Sequence, residues 1–340
     1  MQQGVTEPRA TLQQLVNGYQ VSQAIHVAAT LGIADLLADG ERSCEELAAA
    51  TSTHADSLNR LLRALAGVGV FEERAGARFA LTPLSEQLRA GAQASLAGWA
   101  AFIGRPYYWD AWAELLHSVR TGESGFRHLH GISPWDYRQQ HPEENDIFNR
   151  AMSDTMSAPR VARGVATAYD FGRFGSVVDV GGGEGALLSA ILAAHPGVRG
   201  VLFDLPHVVA TARDVLERAG VGGRCEVVGG SFFDAVPAGV DVYVLKAVIH
   251  DWEDAEAKAI LGRCRDAMPA DGRVLVVERE LAPANQGAAV KFSDLNMLVS
   301  PGGRERSRAE FEALFAAAGL QLAVALPAGA GLSVLEGVRA

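Results

Sequence analysis

The chain has 340 residues, of which 49% are hydrophobic, 7% aromatic and 21% charged, and nothing in that balance suggests disorder. The formal net charge of -10 opposes a nucleic-acid or anionic-membrane surface, because phosphate binding needs clustered Lys and Arg, and no uninterrupted apolar run reaches the roughly 18 residues of a membrane span. Cys44, Cys225 and Cys264 are too scattered for a disulfide framework or a thiolate zinc site, and the N-terminus lacks the basic and apolar regions of a leader, so a cytoplasmic protein is expected.

The length allows two domains of roughly 100 to 200 residues each. From Thr11 to Ala94 the apolar spacing is helical: Leu12, Leu15, Val16 and Tyr19 first, then Leu31, Leu36 and Leu37. Ser43 followed by Glu46 predicts a capping box. Leu58, Leu61, Leu62 and Leu65 predict a helix over Ser57 to Ala66, and 67–71 and 78–81 predict two short strands around a charged turn. Helix, helix and small hairpin have the order of a winged helix. Glu41 to Arg89 holds seven acidic and six basic residues, so the stripe that DNA requires is missing and a dimerisation role is expected. The expected division is 1–100 for this domain and 101–340 for a helical lid segment plus a catalytic domain.

Residues 95 to 170 are mostly helical and rich in aromatics, among them Phe102, Tyr107, Tyr108, Phe126 and Phe148, whose spacing fits core packing and a pocket lining equally. His128 and His130 form an H-x-H pair in an expected loop. No further ligand stands nearby in sequence, so no metal is expected.

From Ser176 strands and helices alternate: strands at Val177–Val180, Val201–Asp204, Cys225–Val228, Val240–Leu245 and Arg273–Glu278, with helices between them. This predicts an α/β fold, a Rossmann-like doubly wound parallel sheet that binds its ligand at the carboxyl ends of the strands. Gln321–Leu326 and Gly331–Leu335 are expected to close it as an antiparallel pair.

The first of these strands runs into Gly181, Gly183 and Gly185, a spacing that also satisfies the permissive dinucleotide fingerprint. Charge separates the two ligands. A pyrophosphate wants bare amides at a helix N-terminus, yet Asp179 ends the strand and Glu184 sits in the turn. Two carboxylates suit a ligand with cationic centres and no phosphate, and S-adenosylmethionine fits that description. Asp204 ends the second strand, placed either to accept a ribose diol or to cap the helix signalled by Leu205-Pro206. Ser231 and Phe232 follow the third strand and Lys246 ends the fourth, on the edge where an adenine would lie; Phe232 can stack on it. His250, just beyond a strand end, can serve as a general base, with Glu278 and Glu305 either orienting its imidazole or pairing with arginines at the surface.

The ordered set Asp179 to Gly185, Phe203-Asp204-Leu205-Pro206, Leu245-Lys246, His250-Asp251-Trp252, Val277-Glu278 and Gly302 to Arg306 closely resembles the plant caffeic acid type and bacterial natural-product O-methyltransferases. The resemblance covers nearly the whole chain, including Phe148 to Asp154. It implies a homodimer that binds S-adenosylmethionine through the glycine turn, Asp204 with Leu205, Ser231, Phe232 and Lys246, and transfers methyl to a hydroxyl of an aromatic small molecule, a secondary metabolite in antibiotic biosynthesis. His250 would be the base, flanked by Glu278 and Glu305, and Met152, Asp251 and Met297 would border the acceptor. The family often has an acid where Ser231 stands, so that contact must differ here. Two other readings stay open on the residues alone: an NAD-dependent oxidoreductase and a ligand-sensing winged-helix DNA-binding regulator.

Overall fold

The protein is described by a computed structural model covering residues 7–92, 95–156 and 158–340. Its contacts divide it into two compact units, Met1–Asp110 with Trp135–Thr155, and Ala111–Pro134 with Met156–Ala340. The helical stretch after residue 100 is thus shared between them.

The first unit opens with helices Pro8–Val16, Gly18–Thr30 and Ile33–Leu36. Helix Cys44–Thr51 starts at a complete capping box of Ser43 and Glu46. Helix Ala55–Gly67 begins two residues before its predicted start, where His54 caps it by accepting from the Ser57 amide. Its spaced leucines work as expected: Leu58, Leu62 and Leu65 are buried. Strands β1 (Arg42–Ser43), β2 (Phe71–Arg74) and β3 (Arg78–Leu81) form an antiparallel sheet in the order β1-β3-β2. The charged residues Glu72 to Arg74 belong to β2 and not to the turn, since only Phe71 of the strand faces the core while the rest meet solvent. The arginines of this wing are engaged by carboxylates: Glu41 accepts from Arg74 at 2.7 Å and from Arg78 at 2.9 Å. Further along, Phe102, Tyr107 and Tyr108 are buried, with Phe148 edge-on to Phe102 at 5.4 Å, so these aromatics are core.

The second unit is built on seven strands: β4 (Ser176–Val180), β5 (Arg199–Asp204), β6 (Cys225–Gly229), β7 (Val242–Lys246), β8 (Arg273–Arg279), β9 (Leu320–Gly329) and β10 (Leu332–Arg339). Their order is β6-β5-β4-β7-β8-β10-β9. The first five are parallel and the last two antiparallel, as expected from the sequence. Near-continuous apolar runs form these strands because both faces are covered. Val177, Val242, Val244, Leu275 and Val277 enter one core, while Val178, Tyr243, Leu245, Val274 and Val276 enter the other. The chain runs outward from β4 to β6, then returns past β4 to lay down β7. That reversal opens a crevice at the carboxyl ends of β4 and β7, where such sheets hold ligands.

Candidate active site

The crevice is floored by the glycine turn after β4. Gly181, Gly183 and Gly185 have φ of 70°, 59° and 84°, conformations a side chain would strain, and Gly185 hands the chain to helix Ala186–Ala194. Asp179 is 1% exposed. Burial pushes its carboxyl up to about 7 against the pull of the Lys246 cation, and repulsion from Asp204 adds to the rise. Its Oδ2 is buried without a hydrogen-bond partner among the described residues.

Asp204, also raised by burial, accepts from the Gly183 amide at 2.8 Å and the Leu205 amide at 2.6 Å. One amide that a pyrophosphate would want is thereby already held by a carboxylate. The helix-cap reading of Asp204 does not hold: a turn follows Pro206, and the next helical element is the short 3-10 segment Val209–Thr211.

Ser231 opens a turn after β6, its hydroxyl accepting from the Phe233 amide at 3.2 Å and its carbonyl from Asp234 and Ala235. Phe232 is half-buried and meets Trp252 edge-on at 5.9 Å. Lys246 donates from Nζ to the Met156 carbonyl at 3.0 Å, and burial lowers its pKa despite Asp179 and Glu278.

Beyond Lys246, Ala247 adopts φ 53°, an uncommon left-handed turn for a residue with a side chain, and throws the chain into the 3-10 segment Ile249–Asp251. There the His250 side chain is 12% exposed, with Nδ1 lying 3.3 Å from Glu278 Oε2 and 3.4 Å from Glu305 Oε1, and Nε2 lying 3.7 Å from Asp251 Oδ1. Burial works against the imidazolium, but Glu278, Asp251 and Glu305 outweigh it and push His250 up to about 10. Burial raises Glu278. It works the same way on Glu305, where the bond and charge of His250 prevail and lower it. Glu278 also accepts from the amides of Val248 at 3.0 Å, Ile249 at 2.9 Å and His250 at 3.3 Å, so one carboxylate fixes both the turn and its imidazole. Glu305 accepts from the Ser293 hydroxyl at 2.7 Å. The alternative of surface carboxylates paired with arginine is therefore overturned for both: Glu278 is 0% and Glu305 2% exposed.

Two residues in this assembly escaped the sequence reading. Arg306 is 1% exposed and donates to the carbonyls of Ile249 at 3.1 Å and Trp252 at 2.9 Å, bracketing His250, and to Asp254 at 2.8 Å. Gly303 packs so closely on the same turn that a Cβ would stand 2.2 Å from the His250 carbonyl oxygen. The available signal was two glycines among three charges in Gly302 to Arg306. An arginine in sequence reads as surface, and nothing but the fold shows it buried.

Met297 is buried on helix Ala288–Val299, and Met152 belongs to the first unit, on helix Pro142–Asp154. His128 and His130 lie on helix Gly125–His130 and not in a loop.

Known proteins share this chain's sequence and fold. An O-methyltransferase domain matches residues 112–321 and an O-methyltransferase dimerisation domain matches residues 13–90. A phenazine O-methyltransferase of Lysobacter antibioticus is 46% identical over 98% of this chain and 97% of its own. A mitomycin biosynthesis 6-O-methyltransferase of Streptomyces lavendulae is 42% identical over 96% of this chain and 94% of its own. A crystal structure of an O-methyltransferase from neocarzinostatin biosynthesis, in complex with S-adenosylmethionine and 2-hydroxy-5-methyl naphthoic acid, superposes with a TM-score of 0.84 at 40% identity, covering 94% of this chain and 96% of that one. The chain belongs to the S-adenosylmethionine-dependent O-methyltransferases, with a Rossmann-like catalytic fold and an N-terminal helical dimerisation domain. Neither an NAD-dependent oxidoreductase nor a DNA-binding regulator finds support in these matches. The site fits the cofactor: the unpartnered Asp179 oxygen and the Asp204 carboxylate flank a glycine turn open at Gly183, where an added Cβ would meet nothing.

Proposed function

We propose that the enzyme methylates a hydroxyl of an aromatic secondary metabolite, with His250 as the base. The observation that carries this is one imidazole, only 12% exposed, held among three carboxylates at the crevice between β4 and β7. S-adenosylmethionine, when bound, supplies a methyl on a sulfonium, which transfers as the attacking oxygen forms its bond and the C–S pair returns to sulfur. Asp179 and Asp204 hold the cationic and ribose parts, with Leu205, Ser231, Phe232 and Lys246 along the adenosine edge. Glu278 and Glu305 beside Nδ1 favour the proton there, so that in the neutral imidazole Nε2 is the nitrogen that takes the proton of the acceptor hydroxyl.

The surrounding carboxylates push His250 up from 6.5 to about 10, which makes its neutral imidazole a stronger base than a free one towards a phenol. Burial of the site favours the step, because charge is neutralised as methyl transfers.

The acceptor class is supported by the relatives, which include a 2,7-dihydroxy-5-methyl-1-naphthoate 7-O-methyltransferase and a 3-amino-4-hydroxybenzoate 4-O-methyltransferase. Within the second unit, Asp251 and Met297 are the residues we assign to the acceptor. A homodimer is supported by the dimerisation-domain match together with the exposed Leu12, Leu15, Val16 and Tyr19. A cytoplasmic location is supported by three free cysteines; among the described residues no helix is long and apolar enough to cross a membrane. A screen with labelled S-adenosylmethionine against hydroxyphenazines, hydroxynaphthoates and hydroxybenzoates, beside their amino analogues, tests the reading. Label on the phenols is expected. Label on amines alone would overturn it.

A further inference from the structure

We propose that the helical hairpin Leu115–Thr121 and Gly125–His130 carries a site for a borderline divalent ion, zinc above all, built from His117, Glu123 and His128 with Glu114 beside them. Sequence spacing drew attention to His128 and His130, but the fold instead folds His128 back over His117. Their rings stack with centroids 3.6 Å apart and planes inclined by 15°. Glu123 Oε2 lies 3.0 Å from His117 Nε2, and Glu114 Oε2 lies 3.9 Å from His128 Nε2. One ligand atom each from His117, Glu123 and His128 falls within 4.8 Å of the others. Donors around a tetrahedral zinc stand about 3.4 Å apart at bond lengths of about 2.0 to 2.1 Å, so one of the two stacked rings must turn out of the stack to bring both lone pairs onto one ion.

That turn is free to occur while the backbone is not. The side chains of His117, Glu123 and His128 are 22%, 54% and 46% exposed. The hairpin beneath them is pinned: Ser124 caps the second helix and donates to the carbonyls of Val299 at 3.1 Å and Ser300 at 2.7 Å, and Gly125 abuts the Ala111 carbonyl. Two imidazoles with carboxylates select zinc, nickel or copper over magnesium or calcium, which prefer oxygen alone. His130 stands apart from the set, its ring against Phe126. Bound ion would stiffen the hairpin and draw on Glu123, which also borders a cleft with Arg127, Asp251 and Trp252.

The test is calorimetric titration of the full-length protein with zinc chloride in a non-chelating buffer, joined to a thermal-unfolding scan with and without the ion. Expected are one equivalent bound per chain, a rise in Tm, at least tenfold weaker binding in His117→Ala and in His128→Ala, and no change in His130→Ala. Both weakened variants lie outside the methyl-transfer site, so unchanged turnover with the acceptor shows that they are folded. The second His-carboxylate group, His250 with Glu278 and Glu305, is controlled by His250→Ala. No saturable binding, binding unchanged in both His117→Ala and His128→Ala, or binding lost in His250→Ala would each overturn the proposal.

Discussion

His250 holds its proton because three carboxylates surround it, and that has a consequence in solution. Its pKa rises from 6.5 to about 10, so its contribution to stability is whole below pH 6.5 and is lost as pH rises through about 10. Unfolding followed by circular dichroism without ligand should show stability falling across that window, and His250→Gln should flatten the fall. Catalysis runs the other way. A base must be unprotonated, so turnover should climb from neutral pH towards the alkaline side, and His250→Ala should reduce kcat at neutral pH by about 10²- to 10⁴-fold, the usual worth of a general base. Recovery with more acidic phenols is expected; near-normal turnover at pH 7 with an ordinary phenol would make His250 structural. Asp179 makes stability fall with rising pH in the same direction, but through the burial of a carboxylate. Its carboxyl rises from 3.8 to about 7, so ionising it costs stability as pH climbs through that range. Asp179→Asn should therefore unfold later than the parent at pH 8 and equally at pH 4. It should bind S-adenosylmethionine about 10- to 100-fold more weakly, given about 1.5 to 3 kcal/mol for a lost charge-assisted bond. Equal affinity by calorimetry would take Asp179 out of the cofactor site.

Among elements, the decisive pair is the 3-10 turn Ile249–Asp251 and the loop Gly302 to Arg306 that grips it. Neither belongs to an α-helix or to a strand of the sheet, although Arg306 bridges to Glu280. The turn depends on Glu278 accepting three amides from inside the sheet and on Arg306 holding two carbonyls from outside. Gly303→Ala would force the backbones apart, since its Cβ would lie 2.2 Å from the His250 oxygen. We expect kcat to fall at least tenfold, because misplacing a catalytic group by about 1 Å can cost about 10²-fold, with little change in S-adenosylmethionine affinity. Arg306→Lys keeps the charge but cannot reach all of its acceptors. It should shift the alkaline limb of the pH–rate profile as His250 moves from its carboxylates. An unchanged limb in both variants would show that the loop does not position the base.

Across the whole molecule, the catalytic sheet is covered on both faces, whereas the N-terminal helices leave Leu12, Leu15, Val16 and Tyr19 from 56% to 74% exposed. Apolar surface of that kind is what the proposed homodimer would cover. Leu15→Arg should convert a dimer into monomer by light scattering at micromolar concentration, and a parent that is already monomeric would remove the role proposed for these helices.

The sequence by itself determined the parallel sheet, its antiparallel close, the Ser43–Glu46 capping box, the glycine turn after β4 and S-adenosylmethionine as the cofactor. Each of these is local: apolar period, a cap three residues from its partner, a glycine where a side chain would strain. The extent of β2 was misread because a half-exposed strand carries Glu72 to Arg74 in the pattern of a turn. Only the tertiary structure decided that Glu278 and Glu305 converge on one imidazole, that Arg306 is buried beneath it, and that His128 meets His117 rather than His130. These are contacts between segments far apart in the chain or across a hairpin. They are set by where strands end and loops pack, which no spacing in the sequence encodes.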